Sequence, residues 1–513
     1  MTAETHSAFD DVRDLNWRDL ILTGVIPGAV AGIAGGLVFG FAIIELGDMS
    51  SVAGLVRMES ALAGFIIHML ISATIGVGFG ALVWHNHPGV GQTLYWGMVC
   101  GAVWWFMGTL TLNPLFLGNE LAWTAEHAQA AFPALLGHLL YGATAGIVLA
   151  ILRLAEHSIP SSGASVGAII RGALAGTTGM ALIAWPLSAQ GVLPQMIGTS
   201  SSETGSMLWV YVLLTGLLSG AALSLIYASP ALSSGAGIIR GAMFGFLLWA
   251  LLPLTAFPYL RNGELLWQIE EARAHFPSLV GFLLFGGATA LIYRWLTEAH
   301  AALFNDMTTS REFEGIGTQG LRAVGRGIVA GIVGGAVFAG VMIQTGALTS
   351  VSSLVGADNT VAGLVVHMGI AAMVGSSYGL LFRGQSYDLG SAMGWGASYG
   401  FIWWVVGSLT LFPILLGAVP NWSADAVAGL FPFLVGHLMF GAGLGAMLHA
   451  MEASHNPWWI TRRQAATERV ERRRQQALTS APAVWTLVVV MALTLSALLG
   501  SDGSSIDLPR SVY

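Results

Sequence analysis

The chain has 513 residues, 55% hydrophobic and only 9% charged, with a mean hydropathy of +0.72. Soluble domains carry about 25% charged residues, so this composition excludes a water-soluble globular protein and points to an all-α polytopic membrane protein. The net charge of −7 says little by itself, and the single cysteine, Cys100, excludes an internal disulfide framework or a cysteine-based metal cluster.

Residues 1–19, MTAETHSAFDDVRDLNWRD, are polar and acidic and lack the layout of a cleavable signal peptide. They read as a cytoplasmic segment, and insertion is expected to begin with the first span. A first unit, residues 20–155, then holds four apolar segments at 20–44, 61–84, 93–117 and 133–154, each near the ~20 residues that cross a bilayer. Its glycines recur at helical spacing, as in GAVAGIAGGLVFG, which suits close helix packing and not a phosphate loop, since no strand precedes them.

Shifting the chain by 144 residues lays this unit on residues 165–298, and shifting it by 299 lays it on residues 320–452. Gly32, Gly176 and Gly331 then coincide, as do Trp105, Trp249 and Trp404, Thr111, Thr255 and Thr410, and Pro114, Pro258 and Pro413. Such self-similarity is the mark of a repeat architecture. Four spans per unit is an even number, so the three units enter the bilayer in the same sense, as parallel repeats. The phrases LTLNP and LTLFP are expected to end the third span, because proline removes a backbone donor. Between spans three and four, Trp123, Trp267 and Trp422 each precede an acid by three residues; this reads as a short outer helix with its Trp at the lipid interface.

Two histidines stand out in the first unit. His68 lies in GFIIHML on the second span and His138 in LLGHLLYG on the fourth. Both sit about five to seven residues from the outer ends of their helices, or roughly 8–10 Å deep at ~1.5 Å per residue. In the third unit His367 and His437 hold the same places, again 70 residues apart, whereas the middle unit has Val212 and Phe282. Joint presence and joint loss suggest a pair acting together. Paired neutral imidazoles suit the two axial positions of a haem b. Gly142 and Gly441, four residues after the fourth-span histidines, and Gly76 and Gly375, eight after the second-span ones, would let backbones pass close to a flat macrocycle. Copper is the alternative metal, since imidazole and thioether suit Cu(I), although Met69 and Met368 directly follow a histidine and so point about 100° away around the helix. The plain reading is a histidine bonded to a backbone carbonyl across a helix seam.

After the third unit, residues 455–480 are rich in arginine (TRRQAATERVERRRQQ), and an apolar run at 481–500 makes a thirteenth span before an outside tail, 501–513. Sixteen arginines fall on one side of this topology and only Arg57, Arg261, Arg273 and Arg510 on the other. The bias places the N-terminus in the cytoplasm and the C-terminus outside, in a bacterial-type inner membrane. The expected function is a membrane electron-transfer subunit of a respiratory assembly, with one bis-histidine haem in units 1 and 3, exchanging electrons with a periplasmic carrier or quinol. No nucleophile–base–acid set marks an enzyme, and no nucleic-acid partner is expected. A channel or carrier for a small neutral solute is the alternative, because the span interiors carry almost no Asp, Glu or Arg.

Overall fold

A computed structural model describes residues 17–83, 89–157, 165–189, 191–197, 206–226, 233–304, 316–382, 385, 388–454 and 486–499. The arginine-rich segment and both termini lie outside these residues. Among the described residues every regular element is helical, and twelve helices are long and apolar enough to cross a membrane. They are α1 (Trp17–Glu45), α2 (Ala61–Leu82), α3 (Val90–Phe116), α4 (Phe132–Arg153), α5 (Val166–Ala184), α6 (Leu208–Ile226), α7 (Ser234–Asn262), α8 (Phe276–Ala301), α9 (Gly317–Gln344), α10 (Thr360–Leu381), α11 (Leu389–Leu415) and α12 (Phe431–Ala453). The last apolar run is described as a π-turn, Thr486–Met491, followed by α13, Ala492–Leu499. Contacts divide the chain into two bodies, Met1–Ala122 with Ala134–Ser161, and Trp123–Pro133 with Ser162–Tyr513.

In the first body, glycine brings backbones into direct contact. A Cβ on Gly76 would lie 2.3 Å from the Gly28 carbonyl oxygen, which locks α1 on α2; one on Gly97 would lie 2.0 Å from the Gly142 carbonyl oxygen, which locks α3 on α4. Gly35 closes on Tyr141 and joins α1 to α4. The spans therefore neighbour one another in the order 2-1-4-3. At the far end of α2, Arg153 on α4 donates to the Val83 and Gly80 carbonyls at 3.0 and 3.3 Å, filling acceptors that a helix C-terminus leaves open.

The second body shows the same order twice. Gly176 closes on Gly216 and Gly220, Gly179 on Thr289, and Gly245 on Phe282; Gly331 closes on Ala371 and Gly375, Gly334 on Phe440, and Gly400 on His437. The described side chains of the last segment, from Leu487 to Leu499, are all buried, as expected for a helix that is apolar all round. α13 lies against three short helices, Ala125–Ala130, Ile269–Ala274 and Ala424–Ala428, which occupy matching places in the three sequence repeats.

The third spans differ from the sequence expectation. Proline does not end them. Each passes through a π-helical stretch (Trp105–Leu112, Leu252–Ala256, Trp404–Leu411) into a further α-turn carrying Pro114, Pro258 or Pro413 near its start. There the missing N–H costs least. The chain turns away four or five residues after the proline, at Gly118, Gly263 and Gly417, all with φ near +75° (77°, 72° and 77°), a conformation that favours glycine. The repeated threonine serves the π-turn: Thr111, Thr255 and Thr410 donate to the carbonyl five residues back at 2.9, 2.7 and 2.9 Å.

The outer tryptophans are corrected too. Trp123 is exposed, but Trp267 and Trp422 are fully buried. Trp267 Nε1 donates to Thr255 Oγ1 at 2.9 Å, whereas Trp422 Nε1 donates to the Leu409 carbonyl at 3.1 Å. Thr255→Val therefore strands a buried indole N–H, and Thr410→Val does not. An unmet buried donor costs about 1–3 kcal/mol, so Thr255→Val should lower the melting temperature clearly more than Thr410→Val; equal shifts would contradict this account of the π-turn.

Candidate functional site

His68 is buried on α2, and its Nε2 lies 2.9 Å from the Gly36 carbonyl oxygen on α1. His138 on α4 places Nδ1 2.7 Å from the carbonyl oxygen of Ala134, one turn earlier. A carbonyl only accepts, so each of these nitrogens carries the proton, and in the neutral ring the other nitrogen is a bare acceptor. Those bare nitrogens, His68 Nδ1 and His138 Nε2, make no hydrogen bond among the described residues. This is the tautomer state of a metal-ligating histidine, whose remaining N–H is fixed by a carbonyl or carboxylate.

The third unit repeats the arrangement closely. His367 Nε2 lies 2.9 Å from the Gly335 carbonyl oxygen and His437 Nδ1 2.7 Å from that of Phe433. In each pair both imidazoles pack against one phenyl ring. Phe39 sits with its centroid 5.4 Å from His68 and 4.8 Å from His138, at 83° and 59° to their planes; Phe338 sits 5.3 and 4.6 Å from His367 and His437, at 82° and 59°. Phe39 is held there by Gly137, where a Cβ would overlap the phenyl ring, and Gly436 does the same for Phe338.

A methionine lies at the same seam. Met69 Sδ comes within 3.4 Å of the Cβ position of Gly36, and Met368 Sδ within 3.4 Å of that of Gly335. Although His68 and Met69 leave the helix in different directions, both reach the same residue of α1. His68, Met69, Phe39 and His138 thus gather around one turn of that helix, between Gly36 and Phe39. In the middle unit the corresponding residues are Val212, Leu213, Ile183 and Phe282, with Met180 in place of the glycine. Both imidazoles, Met69 and Phe39 have no like residue at their own places there, while Phe282 keeps a ring on the fourth span and Met180 brings a thioether to the first. The alignment of Phe39 with Ile183 and Phe338 carried that signal in the sequence, beyond the histidines themselves.

The four glycines expected to flank a macrocycle are filled by neighbouring helices. Gly76 closes on Gly28 and Gly32, Gly375 on Gly327 and Gly331, Gly142 on Gly97, and Gly441 on Gly396, with Cβ positions 2.0 to 2.3 Å from a carbonyl oxygen. A bis-imidazole haem needs its two ring nitrogens on one iron at about 2 Å each, with the porphyrin between them. Here Phe39 and Phe338 pack on both imidazoles of their pairs and the flanking glycines are closed by backbone, so the residues as packed supply the ligand nitrogens but do not fit the macrocycle. Among the described residues no three His, Cys, Asp or Glu side chains gather; the donors present are imidazole, thioether and an aromatic face, a soft set.

The other histidines do different work. His127 Nδ1 meets the Thr124 hydroxyl at 2.7 Å where Thr124 caps a short helix, and the His275 carbonyl accepts from Trp249 Nε1. His85 and His87 lie outside the described residues. Comparison with protein-family models, curated proteins and solved structures finds no match to the chain.

Proposed function

We propose that the chain is a multi-pass protein of a bacterial-type inner membrane that binds Cu(I) at two sites in the outer half of the bilayer, one in unit 1 and one in unit 3. Its spans form three tandem parallel four-helix units with a thirteenth span, N-terminus in the cytoplasm and C-terminus outside; the gapless repeats and the arginine bias support this topology. The donors of the first site are His68, His138 and Met69, and those of the second His367, His437 and Met368. The observation that carries the reading is the concerted one: two histidines with bare ring nitrogens occur with Met69 or Met368 and Phe39 or Phe338 twice, and all four places change together in the middle unit, to Val212, Phe282, Leu213 and Ile183. Thioether and imidazole select Cu(I), and a phenyl face adds attraction for a poorly solvated cation. A bare cation needs none of the width of a porphyrin, but one ion on both imidazoles of a pair also needs the phenyl ring of Phe39 or Phe338 to move aside.

A titration of the purified, reduced protein with Cu(I) against a chromogenic chelator, without oxygen, should find two tight equivalents per chain. A haem b on the same histidines, in a subunit serving a periplasmic carrier or quinol, is the second reading; the near-perpendicular imidazole of His68 against a flat ring favours it. It requires Phe39 and Phe338 to swing away, and a haem band in the reduced-minus-oxidised visible spectrum would put it first. Neither copper nor haem binding would leave the histidines as helix fasteners and return the neutral-solute carrier.

A further inference from the structure

Unit 3 carries hydroxyl groups at three places where its sister units carry none. Between α10 and α11 the rings of Tyr378, Phe382, Trp395 and Tyr399 pack on one another, with neighbouring centroids 4.6 to 5.7 Å apart, and the start of α7 closes on Phe382 at Gly235. Ser377 and Ser398 stand in the same stretch. The places of Ser377, Ser398 and Tyr399 hold Gly78, Val99 and Cys100 in unit 1 and Ala222, Met243 and Phe244 in unit 2. Hydroxyls inside a span are costly unless each finds a partner.

Two of them do. Ser377 Oγ and Tyr399 OH lie 2.6 Å apart, and both reach the Val374 carbonyl oxygen, at 2.8 and 3.1 Å. Two groups beside them do not. Ser398 Oγ and Trp395 Nε1 are enclosed, in residues each 1% exposed, and neither has a hydrogen-bond partner among the described residues. Trp404 is buried as deeply, yet its Nε1 donates to the Leu430 carbonyl at 3.3 Å. The two unmet groups belong to neighbours, since residues three apart on a helix have Cβ atoms about 5–6 Å apart on one face. That face is not the α12 seam, which α11 makes through Gly396 and Gly400. Two hydrogen bonds of about 3 Å, one to each group, cover such a distance. The indole only donates, whereas the hydroxyl gives and accepts, so a molecule joining them must accept at Trp395. Both groups are uncharged, which suits a neutral partner. Natural proteins meet such enclosed groups with ordered water.

We infer that unit 3 holds an internal water on α11 that accepts from Trp395 Nε1 and bonds Ser398 Oγ. Neither the copper nor the haem reading is needed for it. X-ray radiolysis tests it, because a trapped water becomes a hydroxyl radical that oxidises the side chain it touches, and mass spectrometry reads the oxidation residue by residue. In the full chain in detergent, Trp395 should be oxidised several-fold faster than Trp404, which is equally buried and already bonded. Ser398→Ala removes one of the two anchors. It should bring Trp395 down to the level of Trp404, with Trp404 unchanged and the gel-filtration peak unmoved. If Ser398→Ala does not fold, the wild-type comparison of the two tryptophans decides alone. Trp395 oxidised no faster than Trp404, or as fast in folded Ser398→Ala as in the wild type, overturns the proposal.

Discussion

Gly142→Val should abolish the folded protein, not merely weaken a site. A Cβ there would meet the Gly97 carbonyl oxygen at 2.0 Å and its carbon at 2.6 Å, with Met98 N at 3.2 Å. All three are backbone atoms, so no side chain can swing aside, and α3 and α4 must separate along their length. Ordinary overpacking of a core costs about 1–3 kcal/mol; parting two backbones that touch at Gly97, Gly101, Gly142 and Gly146 costs more, because every such contact on the seam is lost. Gly78→Ala is the control, since nothing lies within 4 Å of its Cβ position. By fluorescence-detected gel filtration, Gly142→Val should give aggregate or no protein and Gly78→Ala a wild-type peak. A wild-type peak for Gly142→Val would mean the seam is open, and would restore this glycine as a flank for a flat cofactor.

His138→Phe should do the opposite: leave the fold and remove half of the copper. The middle unit already has Phe282 at this place, fully buried, and the seam beside it is unchanged, with Gly245 closing on the Phe282 carbonyl at 2.0 Å as Gly101 closes on that of His138 at 2.1 Å. The substitution deletes one bare ring nitrogen from unit 1 and leaves unit 3 whole. Bound Cu(I) should therefore fall from two equivalents to one, and His437→Phe in the same chain should take it to none, with the gel-filtration peak unmoved. Undiminished copper in the double variant would mean the ions sit elsewhere.

Much of the architecture was legible because it is periodic. Apolar segments of bilayer length placed the span at 133–154 where α4 runs from Phe132 to Arg153, and the offsets of 144 and 299 put matching glycines on matching seams. What escaped the sequence is what hydropathy does not encode. A π-turn has no apolar signature, so Pro114 read as a helix end although the helix runs past it to Gly118. Trp267 and Trp422 read as interface residues because tryptophan favours both the interface and buried sites where its N–H finds an acceptor. The glycines at 76, 142, 375 and 441 were ambiguous in kind, since a small residue admits a macrocycle and a second backbone equally well. Met69 leaves the helix about 100° from His68, yet its sulfur and the His68 ring both reach Gly36 of α1, a neighbourhood that local spacing does not encode.

The central claim is that imidazole and thioether act on one ion. X-ray absorption at the copper edge of the reduced, copper-loaded wild type tests it most directly, because sulfur and nitrogen scatter at different distances, about 2.3 and 2.0 Å for comparable metal bonds. The account predicts nitrogen scatterers with one sulfur per copper, the sulfur lost when Met69 and Met368 are both changed to Leu, the residue the middle unit carries at Leu213. A shell of nitrogen and oxygen alone in the wild type, or no copper retained at all, would contradict it.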